Sequence, residues 1–344
     1  MYELKEPLGY RFDTASLHLM LAYAQEQGLE SACCLASTGL EPGLLNCPST
    51  EVAPEQELGV IRNMVASLGE PFRHGFELGL RYDLTVYGIW GLGLRTSAGP
   101  LDALKRGFEY WGAVPGLLRI RFVLAGTDPV LCFDCTHLPD GAREFLVGRI
   151  LGTIYAIHQD LLPEHPVGIS RVALTLPWCG GMERVEALFA CPVQVEQPEA
   201  CLVLDAKVMA LAFSKANAVI ASQCDRHCEL EMERRRLQVP VAEQVRQYLQ
   251  DRPFPPPSLQ DVAYALHMSD RSLRRHLEVE GTNWRNLIME IVVSRAEQRL
   301  MCSRTSVQQI ADELGYADPS SFSHAFKRWT GMSPACFRKS RIQP

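Results

Sequence analysis

Apolar residues near the C-terminus recur in two copies of one pattern. In SLQDVAYALHMS, residues 258–269, they fall at Leu259, Val262, Ala263 and Leu266. In SVQQIADELGYA, residues 306–317, they fall at Val307, Ile310, Ala311 and Leu314. Spacings of three and four residues line one face of an α-helix. Each copy opens on a Ser in N-cap position and closes in a three- or four-residue turn. A second short helix then follows, in DRSLRRHLEVEG from Asp270 and in DPSSFSHAFKRWTG from Asp318. The offset between copies is 48 residues before the turn and 49 after it, because Asp318-Pro319 adds one. Short helix, tight turn, short helix, twice over, predicts two helix-turn-helix motifs, at 258–279 and 306–329.

The second helix of each copy has two faces. Phe322 and Phe326 stand at i and i+4, and with Trp329 they predict an apolar stripe for the core. Ser320, Ser321, Ser323, His324, Lys327 and Arg328 are left outside. In the first copy Leu273 and Leu277 form the core pair, leaving Arg271, Ser272, Arg274, Arg275 and His276 at the surface or flanks. These side chains suit hydrogen bonding to base edges and phosphates in a major groove. Between the copies, TNWRNLIMEIVVSRAEQRLMCS reads as one long helix, roughly 30 Å per 20 residues. A connector of that length suits two reading helices about one turn of DNA apart, ~34 Å.

Upstream, DRPFPPPSLQ at 251–260 holds four prolines within five residues and predicts a break. VAEQVRQYLQ before it has helical spacing at Val241, Val245 and Leu249. The stretch from Asp205 to Gln238 holds no Pro or Gly and predicts one long helix ending at Arg234-Arg235-Arg236, a hinge, phosphate contact or solvated helix end. The boundary therefore falls near 230–240, giving domains of 1–235 and 236–344. The first domain looks mixed. Helices are predicted in TASLHLMLAYAQEQGLESACCLASTG, ended by Gly28 and then resumed, in APEQELGVIRNMVASLGEPF and in GAREFLVGRILGTIYAIHQDLL. Strands are predicted in LLRIRFVLAG, PVLCFDCTHL, VGISRVALTLPW and CPVQVEQ. The fold expected is an α+β domain followed by an all-α one.

Composition sharpens this division. Of 344 residues 47% are hydrophobic, ample for two cores, yet no run is long and apolar enough for a membrane span. MYELKEPLGY has no basic-then-apolar leader pattern, so the expected location is the cytoplasm. Twelve cysteines there suggest reduced, mostly buried thiols. Residues 234–344 carry 17 Lys and Arg against 11 Asp and Glu, while the remainder carries 17 against 29. An acidic part joined to a basic part fits a regulatory domain tethered to a polyanion-binding one. No GxGxxG fingerprint, P-loop, HExxH or GxSxG elbow is present, which argues against an enzyme.

The run IADELGYADPSSFSHAFKRWTGMSPACFRKS resembles the C-terminal signature of the AraC/XylS family of bacterial transcription regulators. The likeness covers about 100 residues, from near Val241 to near Ile342. It implies a DNA-binding unit of seven helices with two helix-turn-helix motifs. Carried over by matching the pattern, the base-reading positions are Arg271, Arg274 and Arg275, with Ser272 among them, and Pro319, Ser320 and His324. The family often has Arg at the position of His324. Arg275 is the candidate for guanine, since a guanidinium bonds O6 and N7 together. Arg295, Ser323, Lys327, Arg328 and Arg338 are the phosphate candidates, as is Arg234–Arg236. LLNCPSTEVAPEQELGVIRNMV and GFELGLRYDLTVYGIWGLGLRTSAGPLDALKRGFEYW resemble the subgroup with an arabinose-binding-type N-terminal domain. That likeness implies effector sensing, dimerisation or both, without making arabinose the ligand. The implied partners are double-stranded promoter DNA, a second copy of the chain and, for an activator, RNA polymerase. The Pro-Cys-His-Arg motif of the family's alkyl-DNA repair members is absent.

Two other constellations stand apart. Cys132, Cys135 and His137 in CFDCTH, and Cys224, His227 and Cys228 in CDRHC, have spacings found in metal or redox sites, and give the alternative of a thiol- or metal-responsive sensor. A strand would point Cys132 and Cys135 to opposite faces, and a helix would stack Cys224 on Cys228. No cofactor or resident metal is expected. For a small effector, Tyr82, Tyr87 and Trp90 are the candidate aromatics, and Arg81 or Arg95 the candidate carboxylate partner.

Overall fold

The computed structural model describes residues 2–3, 13–45, 47, 50–111, 117–125, 128–136, 138–250, 252, 255–302, 305–316 and 318–342. The chain forms two units, Met1–Arg236 and Leu237–Pro344. In the first, β1 (Tyr2–Glu3) is followed by helices α1 (Ala15–Glu26), α2 (Ser31–Leu35), α3 (Pro42–Leu45), α4 (Pro54–Leu68), α5 (Pro71–Gly79), α6 (Gly88–Arg95) and α7 (Pro100–Glu109). The hairpin of β2 (Arg119–Ala125) and β3 (Asp128–Asp134) comes next, then α8 (Ala142–Leu161) and β4 (Ile169–Ala173). The unit ends with α9 (Met182–Phe189), β5 (Val193–Gln194), β6 (Ala200–Leu204), the short α10 (Ala206–Met209) and α11 (Ala218–Gln238). The sheet order is β1-β2-β3-β6-β4-β5, antiparallel except between β4 and β5. Sheet plus helices is what the strand and helix patterns predict, with two strands, β1 and β6, unforeseen. β6 lies between β3 and β4 at the centre of the sheet.

Glycine sets a close helix-helix approach in this unit. Gly75 and Gly79 on α5 face Gly148 and Gly152 on α8, each pair four residues apart and so on one helix face. A Cβ at Gly75 would lie 2.0 Å from the Phe145 carbonyl oxygen, and one at Gly79 2.2 Å from that of Arg149. Reciprocally, a Cβ at Gly148 would lie 2.2 Å from the Phe72 oxygen, and one at Gly152 2.3 Å from that of Phe76. The two backbones thus occupy the space that side chains would need. Phe72, Phe76 and Phe145, fully buried, fill the core on either side of the crossing.

The run from Asp205 to Gln238 is two helices, not the single one its composition predicts. α10 stops at Met209, and tertiary bonds hold the link in another course. The Phe213 N–H donates to the Ala98 oxygen at 3.0 Å and the Asn217 N–H to the Thr96 oxygen at 2.8 Å. The Asn217 carboxamide oxygen then accepts from the N–H groups of Val219 and Ile220, which starts α11.

The second unit contains helices α12 (Val241–Gln250), α13 (Leu259–Ala265), α14 (Asp270–Val279), α15 (Trp284–Cys302), α16 (Val307–Glu313), α17 (Pro319–Thr330) and α18 (Pro334–Ile342). It has two apolar clusters. One joins α12, α13 and α14 to Leu287 of α15. The other joins Val292, Ala296 and Leu300 of α15 to α16, α17 and α18. Phe322 and Phe326 are buried, as their spacing predicts. Trp329 is not: it is 41% exposed, with the Arg328 guanidinium 5.9 Å from its ring centre. The aromatic that closes the cluster is Phe337, whose ring centre lies 5.5 Å from that of Phe326. Among the described residues no helix is long and apolar enough to cross a membrane.

The glycine crossing makes a direct prediction. Gly148→Ala drives a methyl group into the Phe72 carbonyl and is expected to cost about 3 kcal/mol, at the upper end of overpacking penalties. Gly43→Ala, whose Cβ meets nothing within 4 Å, serves as the control and shifts stability little. Denaturant unfolding of the full chain measures both.

Candidate nucleic-acid interface

Each short helix pair of the second unit is built from the same local bonds. Ser258 accepts from the Asp261 N–H, and the Asp261 carboxylate accepts from the Ser258 N–H. Ser306 and Gln309 repeat this box. The turns match as well. The Met268 N–H reaches the Ala263 oxygen at 2.8 Å and the Tyr316 N–H the Ala311 oxygen at 2.9 Å. The His267 and Gly315 N–H groups reach the oxygens of Tyr264 and Asp312. Both turns are therefore Schellman ends, needing a left-handed residue at their apex. The second copy supplies Gly315 at φ 74° and the first supplies His267 at φ 56°.

The turn delivers α14 with its cap in place, Ser269 accepting from the Ser272 N–H at 3.1 Å. Leu273 and Leu277 are buried, which turns Arg271, Arg274 and Arg275 outward, all exposed. Among the described residues none of these three guanidiniums has a hydrogen bond or ion pair. Ser272 is half-buried, and its carbonyl oxygen lies 2.7 Å from His276 Nδ1. On α17, Asp318 caps the Ser321 N–H at 2.7 Å, and these bonds hold its carboxyl below the usual carboxylate range. Ser320, His324, Lys327 and Arg328 are exposed, while Pro319 and Ser323 are half-buried. Six Arg, Lys and His side chains thus stand open on two helices: Arg271, Arg274 and Arg275 on one, His324, Lys327 and Arg328 on the other. Such a pair of surfaces is chemically suited to base edges and phosphate.

The remaining phosphate candidates are differently placed. Arg295 donates to the Leu249 oxygen and Arg338 to the Thr305 oxygen, so part of each fork ties backbone within the unit. Arg234 pairs with Glu231 at 2.8 Å and with Glu51 at 3.6 Å. The side chains of Arg235 and Arg236 lie outside the described residues.

The first unit holds two adjoining cavities. Tyr87 and Trp90 line the larger, of about 200 Å3, and Tyr82 and Tyr87 line the smaller, of about 50 Å3. Arg81 lines neither: both its terminal nitrogens bond Glu26 at 2.6 Å, and it stacks over Tyr23. Arg95 pairs with Asp160 instead. The cation at the smaller cavity is Arg149, unanticipated in sequence, 2.7 Å from the buried Glu57. Ser16 bonds Glu57 at 3.2 Å and Tyr82 at 2.7 Å, completing a buried polar quartet. Burial raises the Tyr82 and Tyr87 hydroxyls well above the ordinary phenol value. An Arg inside the apolar run FLVGRIL is the signal that sequence offered.

The cysteine groups do not converge. Cys132 stands in register with Cys201 across β3 and β6, while Cys135 lies beyond the strand end. Cys224 and Cys228 are both buried and His227 is exposed, so the imidazole turns away from the thiols. His137 lies outside the described residues. Burial raises the thiols of Cys132, Cys135 and Cys224 above the ordinary value, against a thiolate ligand or nucleophile. Among the described residues no group of three or more His, Cys, Asp or Glu could hold a metal ion.

Open cationic faces on paired helices, following a sheet-and-helix unit that encloses a cavity, define a DNA-binding regulator. Residues 28–213 match the arabinose-binding domain of AraC transcription regulator, N-terminal, and residues 262–340 match a helix-turn-helix domain. The chain belongs to the AraC family of transcription regulators. The HTH-type transcriptional regulator Rv1395 of Mycobacterium tuberculosis is 28% identical to it, over 97% of this chain and 98% of that one. The ornithine utilization regulator of Pseudomonas aeruginosa is 26% identical, over 98% and 100%. The solved structure of the transcriptional regulator CdpR from Pseudomonas aeruginosa is 23% identical, spans 94% of this chain and 98% of that one, and has a TM-score of 0.45. These relatives are transcription regulators, not enzymes.

The paired turns give a test of the repeat. Gly315→Ala forces a Cβ into the left-handed region and is expected to destabilise the C-terminal unit by about 1–2 kcal/mol. Its neighbours leave ordinary van der Waals space, so the loss is conformational. His267→Ala, where a side chain already bears that strain, is expected to cost far less. Thermal unfolding of both variants checks the asymmetry.

Proposed function

We propose that this protein is a sequence-specific DNA-binding transcription regulator acting in the cytoplasm as a homodimer. In this reading residues 236–344 form a seven-helix unit with two helix-turn-helix motifs, and α14 and α17 enter successive segments of the major groove. Residues 1–235 sense an effector, dimerise, or both. The observation that carries the reading is the trio Arg271, Arg274 and Arg275, exposed on one helix and without a hydrogen bond or ion pair among the described residues. Pro319, Ser320 and His324 would read bases from α17. Lys327 and Arg328 would grip phosphate, with Ser323, Arg295 and Arg338 adding contacts near the backbone. Phosphate contacts supply salt-dependent affinity, and base contacts the sequence choice. A dimer would call for two related half-sites, and an activator would also touch RNA polymerase.

Selection of bound fragments from sheared bacterial DNA, at two salt concentrations, tests this. The intact protein is expected to enrich a motif spanning two major-groove turns, and the triple variant R271A/R274A/R275A to lose it. Arg275→Ala alone is expected to cost about 1–3 kcal/mol and relax choice at one base pair. Lys327→Ala is expected to weaken all sequences alike and reduce the salt slope by about 1. Salt-sensitive binding with no enriched sequence would sink the base-reading assignment.

A further inference from the structure

The larger cavity of the first unit has a wall chemistry that limits what can enter. Its lining includes Trp90, Leu94, Phe108, Phe133, Ile154 and Leu161, and among the described residues no Asp, Glu, Lys or Arg lines it. His158 at its edge bonds the His165 carbonyl through Nε2, and burial lowers its pKa, favouring the neutral ring. Tyr87 and Thr153 engage each other through their hydroxyls. The Trp90 indole N–H donates to the Gly107 carbonyl oxygen at 3.2 Å, which leaves the indole N–H of Trp111, buried and without a hydrogen-bond partner among the described residues. Trp111 lies in the wall shared with the smaller cavity, as do Tyr87 and Thr153.

We propose that this cavity binds a small uncharged molecule, mainly hydrocarbon, that carries one oxygen acceptor at the end nearest Trp111. The size follows from the volume. A 150 Å3 cavity lined by Leu, Ile and Phe stays dry and takes up benzene, so about 200 Å3 suits a molecule of about eight to ten heavy atoms. The chemistry follows from the lining. A pentose brings several hydroxyls, and a zwitterionic amino acid two charges, and such a wall offers too few partners for either. A single acceptor, by contrast, would meet an N–H that lacks one. Occupancy would also bear on α11. Trp90, Leu94 and Ala103, which wall the cavity, share one packed cluster with Cys228 of α11. Arg106 on α7 is ion-paired to Asp225 of that helix at 3.3 Å, and α11 ends where the second unit begins.

The inference rests on the reading of the first unit as a sensor, and its test is separable from that of DNA binding. Tryptophan fluorescence and thermal unfolding of the full chain would be followed with acetophenone, ethylbenzene and L-arabinose as probes. Acetophenone is expected to quench saturably and raise the unfolding temperature. Ethylbenzene, with the same ring but no acceptor, is expected to bind about tenfold more weakly, and L-arabinose not at all. Trp111→Phe keeps an aromatic ring, though a smaller one, and removes the N–H, and is expected to erase the difference between ketone and hydrocarbon. Ala103→Phe fills the cavity and is expected to abolish binding of both. If that variant does not fold, the Trp111→Phe comparison stands without it. Saturable binding of L-arabinose, no binding of either aromatic, or an undiminished ketone preference in Trp111→Phe would each overturn the proposal. DNA binding by the same preparation is measured alongside. Its presence without aromatic binding removes this inference alone, and its absence removes the regulator reading alone.

Discussion

The first unit depends on a backbone-to-backbone contact between α5 and α8. Four glycines let carbonyl oxygens sit where Cβ atoms would otherwise lie. That contact fixes the axis of α8, and α8 serves both cavities at once. Arg149, between two of the contact glycines, reaches Glu57 on α4 and completes the polar quartet. Thr153, Ile154, Ile157 and Leu161, further along the same helix, wall the apolar cavity. A wider crossing would move both sets together. The buried ion pair adds a second requirement. A lone buried charge costs far more than a paired one, so Arg149 and Glu57 hold their helices to a common position.

The two units handle polar groups in opposite ways. In the first, many cations are paired internally: Arg81 with Glu26, Arg106 with Asp225, Arg149 with Glu57, Arg184 with Glu77. In the second, Arg246 and Arg299 are paired with Glu side chains, but the early positions of α14 are not. The charge asymmetry along the chain thus becomes a difference in availability. The acidic unit neutralises many of its arginines, though Arg62 and Arg226 stay exposed, while the basic one leaves a cluster of three on one helix open to an outside polyanion.

Legibility followed the range of the forces involved. The helix pairs of the second unit were readable because they are written in neighbouring residues: Ser258 and Asp261, Ser306 and Gln309, Leu273 and Leu277, Phe322 and Phe326. Each is a local bond or a helical period. What escaped depends on distant partners. β6 is a central strand because β3 and β4 flank it, and its five residues carry no such label. The link after α10 leaves the helical course because Ala98 and Thr96 accept its N–H groups. Trp329 is outside because Phe337 arrived from the next helix. The role of Arg149 lies in Glu57, 92 residues away, whereas Arg81, beside the aromatics in sequence, is already held by Glu26. The aromatics Tyr82, Tyr87 and Trp90 do line cavities, yet their number said nothing of the cavity's neutrality.

The long helix α15 passes through both clusters of the second unit, giving Leu287 to one and Val292, Ala296 and Leu300 to the other. No Gly or Pro interrupts it. It acts as a phase-locked axle. One residue inserted between Leu287 and Val292 would turn the second half by about 100° and advance it by about 1.5 Å relative to the first. Side chains can be exchanged on either half one at a time, whereas the length of this segment is a quantised dimension. Its 19 residues set the angular phase between the two open faces as firmly as the helical repeat of DNA sets the phase between two grooves.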